Sequence, residues 1–185
     1  MKFGLIADTH IPSAELSPKV MQAFEGVELI LHAGDIFIPA CLDWLESIAP
    51  VKAVEMSAIS HFEGDSRVVF HKRVVEVEGH AIGMVHELAI PGMSALEVLP
   101  GIIDKSFPPN ASLPDALKQV FGRPVDIVVF GLSHETLVEE HDGILFINPG
   151  SATWPNQRVR PGTVAVLELT PRGRDVRIVD LSKLN

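Results

Sequence analysis

Lys2-Phe-Gly-Leu-Ile-Ala-Asp8-Thr-His10, at the start of the chain, is the stretch from which the fold is read. Residues 2–7 are apolar after the lysine and end at a polar turn, the pattern of a short buried strand. Asp8 and His10 follow just past that strand, where the chain leaves the sheet. An aspartate and a histidine two residues apart can aim a carboxylate oxygen and an imidazole nitrogen at one point, which is half of a metal site. Such a pair is common by chance, so its meaning depends on whether other strands end the same way.

Outward from that strand the chain alternates. Ser17 and Pro18 stand as N-cap and first residue of a helix carrying Val20, Met21 and Phe24, which ends at Gly26. A second buried strand, 29–33, closes on Gly34-Asp35. A helix over 39–48 places Leu42, Leu45 and Ile48 on one face, and a third strand covers 51–56. Two strand–helix units followed by a strand predict a parallel sheet with right-handed crossovers. Beyond them, 68–70 and 74–78 are strand-like and Glu78-Gly79-His80 turns into 81–86, so hairpins replace crossovers and the second half is expected to be largely antiparallel. Residues 87–112, rich in proline and glycine, read as an elaborated loop or lid with a short helix at 94–99, inside one domain spanning 1–185. A helix at 113–121 leads to a buried strand at 126–130 and to Gly131-Leu-Ser-His134. Asp142-Gly143 is a hairpin turn between 136–140 and 144–147, and two last strands lie near 163–169 and 176–181.

Composition narrows the function. With 46% hydrophobic and 21% charged residues, the 185-residue chain is long enough for a large core. A net charge of −9 argues against non-specific nucleic-acid binding, which needs a basic surface. It leaves room for a small phosphorylated substrate, because a metal can supply positive charge locally. The single Cys41 excludes an intramolecular disulfide and suits a reducing cytoplasm. Neither a signal peptide nor an apolar run near the roughly 20 residues of a membrane span is visible, so a soluble cytoplasmic protein with no membrane partner is expected. Self-association into a homo-oligomer stays open.

Metal-ligand residues recur at one place in the strand rhythm: Asp8 and His10, then Asp35, His86, His134 and Asn148. Ligands of open α/β sheets bind beyond the carboxyl ends of strands, and several strand ends offering Asp or His there are much rarer by chance than one motif. Imidazole with carboxylate suits Mn, Fe or Zn better than Ca.

The ordered set Asp8-Thr-His10, Gly34-Asp35, His86, Gly131-Leu-Ser-His134 and Asn148-Pro-Gly-Ser151 resembles the calcineurin-like metallophosphoesterases, in particular their small bacterial and archaeal phosphodiesterases. The resemblance covers nearly the whole chain. It implies an α/β fold, a four-layer α/β/β/α sandwich with two stacked mixed sheets, and a dinuclear metal centre. Asp8, His10, Asp35 and His134 would hold the first metal, and Asp35 would bridge to a second that His86 also binds. Two departures weaken that second site. Ser57 stands where the family has asparagine, followed by Ala58-Ile59, and Leu132 replaces the first histidine of Gly-His-x-His. One strong site and one weak or absent site are therefore expected.

By this likeness the chain is a metal-dependent phosphoesterase cleaving a phosphodiester with a metal-bound hydroxide, Asp35 being central to catalysis. His61 could return as a ligand or as the acid protonating the leaving oxygen, although a solvated turn is the favoured reading. Asn148, Gly150 and Ser151 could offer amides and a hydroxyl to phosphate, or form a turn that only shapes the site. Arg158 and Arg160 could clamp an anion. His32 reads as a hydrogen-bonded core residue and Cys41 as packing. The rival is a scaffold that kept the fold and lost the chemistry, as in the retromer subunit built on this fold. A sensing domain that binds a phosphorylated ligand without cleaving it comes third.

Overall fold

The computed structural model describes residues 1–10, 18–56, 60–153 and 162–185; Ser17, Ser57, Trp154, Arg158 and Arg160 lie outside them. The elements run β1 (Lys2–Ile6), α1 (Pro18–Ala23), β2 (Leu29–His32), α2 (Pro39–Glu46), β3 (Val51–Glu55), β4 (Val68–Phe70), β5 (Lys72–Val77) and β6 (His80–Val85). They continue through α3 (Ile102–Ser106), α4 (Leu113–Phe121), β7 (Ile127–Val129), β8 (Thr136–His141), β9 (Ile144–Pro149), β10 (Thr163–Thr170) and β11 (Gly173–Asp180). One sheet has the order β11-β10-β1-β2-β3-β4, the other β5-β6-β7-β9-β8.

Strand alternation builds the layers. In β1, Phe3 and Leu5 face the second sheet, while Ile6 faces α1 and α2. In β9, Leu145 and Ile147 face the first sheet, while Ile144 and Phe146 face α3 and α4. Three apolar interfaces result: helices on sheet, sheet on sheet, and sheet on helices. The fold is the expected four-layer α/β/β/α sandwich. Each fully buried Phe, Leu or Ile in these interfaces contributes roughly 1.5–3 kcal/mol. α4 is the best-signalled helix. The Ser112 hydroxyl accepts from Asp115 N at 3.3 Å, and Gly122, at φ 77°, ends it.

In the first sheet β1, β2, β3 and β4 are parallel, so their carboxyl ends share one edge. The second half is largely antiparallel, as expected, in β5–β6, β8–β9, β10–β11 and β1–β10, but the second sheet also has a parallel core. β5–β6 and β8–β9 are hairpins, but β6, β7 and β9 are mutually parallel. The crossover from β6 to β7 runs through 87–126 and includes α4, and the proline-rich stretch before that helix hid its βαβ character. β4 is no hairpin partner of β5 either. It pairs with β3, and the chain changes sheets at His71, whose φ of 71° makes the corner. The short helix expected at 94–99 is absent; α3 lies further on, after Gly101 at φ 71°.

The edge opposite the carboxyl ends is tied by polar bonds between sheets. Arg174 of β11 donates to Asp126 O at 2.8 Å and Gly143 O at 3.0 Å and pairs with Glu140 at 3.1 Å. His80 of β6 contacts the Asp126 carboxylate and reaches Thr170 O at 3.1 Å. No helix among the described residues is long and apolar enough to cross a membrane.

One glycine in each sheet admits an aromatic ring from the helix layer. A Cβ on Gly4 would lie 3.0 Å from the Phe24 ring, and one on Gly83 would lie 2.7 Å from Phe121. Gly83→Val therefore overpacks the β6–α4 interface. A loss of about 1–3 kcal/mol is expected in urea unfolding, and an unchanged midpoint would show that the ring can step aside.

Candidate metal centre

Five side chains from both sheets meet beyond the strand ends. Asp8 and His10 follow β1, Asp35 follows β2, His86 follows β6, and His134 lies five residues past β7. Four of them sit in left-handed backbone: Asp8 at φ 51°, His10 at 46°, Asp35 at 58° and His134 at 58°. Asp and His are among the residue types that tolerate this region best. Four such residues at one site indicate strain held in place by the surrounding fold.

Asp8 is the hub. Its Oδ1 lies 3.5 Å from His134 Nε2, 3.8 Å from His86 Nε2 and 4.0 Å from His10 Nε2. His10 Nε2 is 2.9 Å from His134 Nε2 and 3.1 Å from Asp35 Oδ2, which in turn lies 4.0 Å from His86 Nε2. Two groups of ligand atoms emerge, Asp8–His10–His134 and Asp8–Asp35–His86, each within 4.8 Å. Asp8 belongs to both. Asp35 Oδ2 also lies between His10 and His86, as a bridging carboxylate would.

The backbone holds this arrangement together. Asp8 N donates to Gly34 O at 3.0 Å and Thr9 N to Asp35 O at 3.1 Å, which locks the two ligand turns of the first sheet. His86 Nδ1 donates to Ala33 O at 2.8 Å, so its Nε2 presents a lone pair to the two aspartates. Close approach requires glycine twice. A Cβ on Gly34, at φ 96°, would sit 2.6 Å from the His86 side chain, and one on Gly131 would sit 2.7 Å from Asp8 Oδ2. Thr9 and His32 lie beneath. Gly34 N donates to His32 Nδ1 at 3.2 Å, so His32 Nε2–H faces the Thr9 hydroxyl at 3.3 Å.

Burial dominates the electrostatics. It pushes the Asp8 carboxyl up to about 6, although His86 and His134 pull the other way. Burial also holds His10 below its ordinary value against the pull of Asp35, and takes the core residue His32 down to about 3. Both changes favour the neutral imidazole, the form that ligates. The Cys41 thiol is pushed up to about 11 by burial, as a packing residue would be.

The donor set fits a divalent cation. Asp8 Oδ2 is buried and has no hydrogen-bond partner among the described residues, a costly state for a carboxylate oxygen unless a cation completes it. The 2.9 Å between two imidazole nitrogens also suits two ligands on one ion, each bond about 2.0–2.1 Å long.

The other expected residues are placed differently. His61 is exposed on the helical turn Ser60–Phe62, in keeping with a solvated residue. Asn148 and Ser151 are fully buried with their side chains bonded to backbone. Gly150, at φ 74°, packs so tightly that a Cβ would fall 2.3 Å from Thr163 Oγ1. The turn is thus bonded to both the loop 131–134 and the backbone of Asp8. Leu132 is half-buried at φ 73°, and its N–H donates to Asp8 Oδ1 at 3.2 Å. Sequence reasoning missed Glu55, buried at the end of β3, which accepts from Ile36 N at 2.7 Å and so fixes the chain beyond Asp35. Burial raises its pKa. An acid closing a strand that is apolar but for Lys52 was its signal.

Residues 1–172 match the calcineurin-like phosphoesterase superfamily domain. The chain belongs to that superfamily. A probable metallophosphoesterase of Methanothermobacter thermautotrophicus is 29% identical over 183 residues, covering 97% of this chain and 92% of its own length. The zinc complex of Vps29 from Entamoeba histolytica has the same fold, with a TM-score of 0.64 at 19% identity over 98% of this chain and 99% of that one. An archaeal phosphodiesterase superposes with a TM-score of 0.60 at 19% identity, covering 97% of this chain and all of that one. Membership in a family of divalent-metal hydrolases agrees with the ligand groups at the strand ends.

Two outcomes follow from this geometry. A proton on Asp8 competes with a cation below about pH 6, so metal affinity should fall toward about tenfold per pH unit below that value. Chelator competition between pH 7.5 and 5 reads this directly. Gly34→Ala should displace His86 and cost more than about 1 kcal/mol of stability, with reduced metal content by elemental analysis; unchanged content would show that the ring is not held by this contact.

Proposed function

We propose that this protein is a metal-dependent phosphodiesterase acting on a small phosphorylated substrate. The observation that carries the reading is the buried Asp8 carboxylate, with one oxygen unpartnered among the described residues and the other facing three imidazoles. Asp8, His10, Asp35 and His134 would hold one cation, of Mn, Zn or Fe. Asp8, Asp35 and His86 would hold a second more weakly, having three donors among the described residues. When bound, such ions polarise a phosphoryl oxygen and lower the pKa of water.

The chain's own contribution is orientation and charge. Asp35, 41% exposed, is the most open of the ligand side chains measured and faces the approaching substrate. Leu132, half-buried with its N–H on Asp8, is apolar where the resemblance implies a histidine. A charge of −9 makes a polyanionic substrate unfavourable away from the metal, which supports a small diester and a role apart from non-specific nucleic-acid binding.

The scaffold reading keeps one support: the fold is shared with Vps29, and two residues that the likeness assigns to the second site are replaced by Ser57 and Leu132. Metal-loaded enzyme should hydrolyse a bis-aryl phosphodiester with Mn²⁺ or Zn²⁺, and Asp35→Asn or His134→Ala should lower kcat/KM about 100-fold or more, as expected when several kcal/mol of metal-derived stabilisation is lost. Turnover at the metal-free background, in protein shown to carry metal, would remove the enzyme reading in favour of the scaffold.

A further inference from the structure

The end of β9 and the turn after it are bonded to the loops that bring the ligands from the two sheets. Asn148 is fully buried, and each atom of its amide faces a partner that fixes its orientation. Nδ2 donates to Gly131 O at 2.9 Å and to Ser133 Oγ at 3.2 Å, while Oδ1 accepts from Gly150 N at 2.9 Å. Both N–H groups are thus committed to the loop 131–134, leaving none to meet an anion. That loop needs a hold. Leu132 and His134 both have positive φ, a conformation a bulky leucine adopts only under constraint. The loop delivers two things to Asp8, the Leu132 N–H at 3.2 Å from Oδ1 and the His134 ring at 3.5 Å. From the other side of the same turn, the Ser151 hydroxyl donates to Asp8 O at 2.6 Å.

We propose that Asn148 is a positioning residue for the Asp8–His10–His134 group, acting through the loop 131–134 rather than by contact with substrate. The inference deepens the metal-centre reading and rests on it. His86 takes its orientation from Ala33 O instead, so the influence of Asn148 falls on the His134 side.

The test is Mn²⁺ affinity, read by competition with a chromophoric chelator on the full chain. Asn148→Asp keeps the size of the side chain and the acceptor for Gly150 N, but sets an oxygen against Gly131 O. It should weaken Mn²⁺ binding about 10–100-fold, the usual effect of losing a partner behind a ligand, with the His134 ring resonances shifted in the NMR spectrum. Ser133→Ala removes one acceptor of the same amide without burying a charge, and should weaken binding severalfold in a protein with native circular dichroism. Wild-type affinity in a folded Asn148→Asp variant overturns the proposal; if that variant does not fold, wild-type affinity in Ser133→Ala does so. A wild-type chain that takes up no Mn²⁺ overturns it too. A loss of phosphate binding with Mn²⁺ affinity intact would instead make Asn148 an anion contact. None of these readouts needs turnover, so absent hydrolysis with an affinity loss in Asn148→Asp would sink the phosphodiesterase reading alone.

Discussion

A carboxylate removed from water at the junction of two sheets is the constraint that the rest of the structure serves. Asp8 has no solvent exposure, and an ionised carboxylate in such a place is stable only when paired. Three imidazoles, one backbone amide and a second aspartate surround it, from strand ends far apart in the chain. The close glycines at 34 and 131, the turn held by Asn148 and the buried Thr9–His32 pair make sense as supports for that one group.

Topology makes the convergence possible. Parallel strands in both sheets bring their carboxyl ends to one edge, and side-chain alternation stacks the sheets over a shared apolar layer. Loops just past those ends then project into the same space. The ligand turns after β1, β2 and β7 hold left-handed residues, so the apolar layers carry the stability and the site carries the strain.

Much of this was legible in the chain because its signals are local. Short apolar runs ending in Asp8, Asp35, His86 and His134 marked both the strands and the ligands. Pro18 opened the first helix by backbone chemistry that needs no tertiary information. What escaped was non-local. Pairing of β6 with β7 depends on contacts across about forty residues, and nothing in 87–112 announces that they form part of a crossover. The sheet change at His71 and the orientation of the Asn148 amide are likewise set by neighbours distant in sequence. Glu55 escaped because its partner, Ile36 N, belongs to another turn.

The two edges of the sandwich are fastened by different means. At one, Arg174 and His80 clasp the sheets with ordinary polar bonds. At the other, the groups that face each other across the gap are ligands, with Asp8, His10 and Asp35 on one sheet and His86 and His134 on the other. Any ion gripped there becomes a rivet between the layers, so its binding energy is also cohesion energy. For such a molecule, resistance to unfolding is set partly by the free metal around it, rising as RT ln(1 + [M]/Kd).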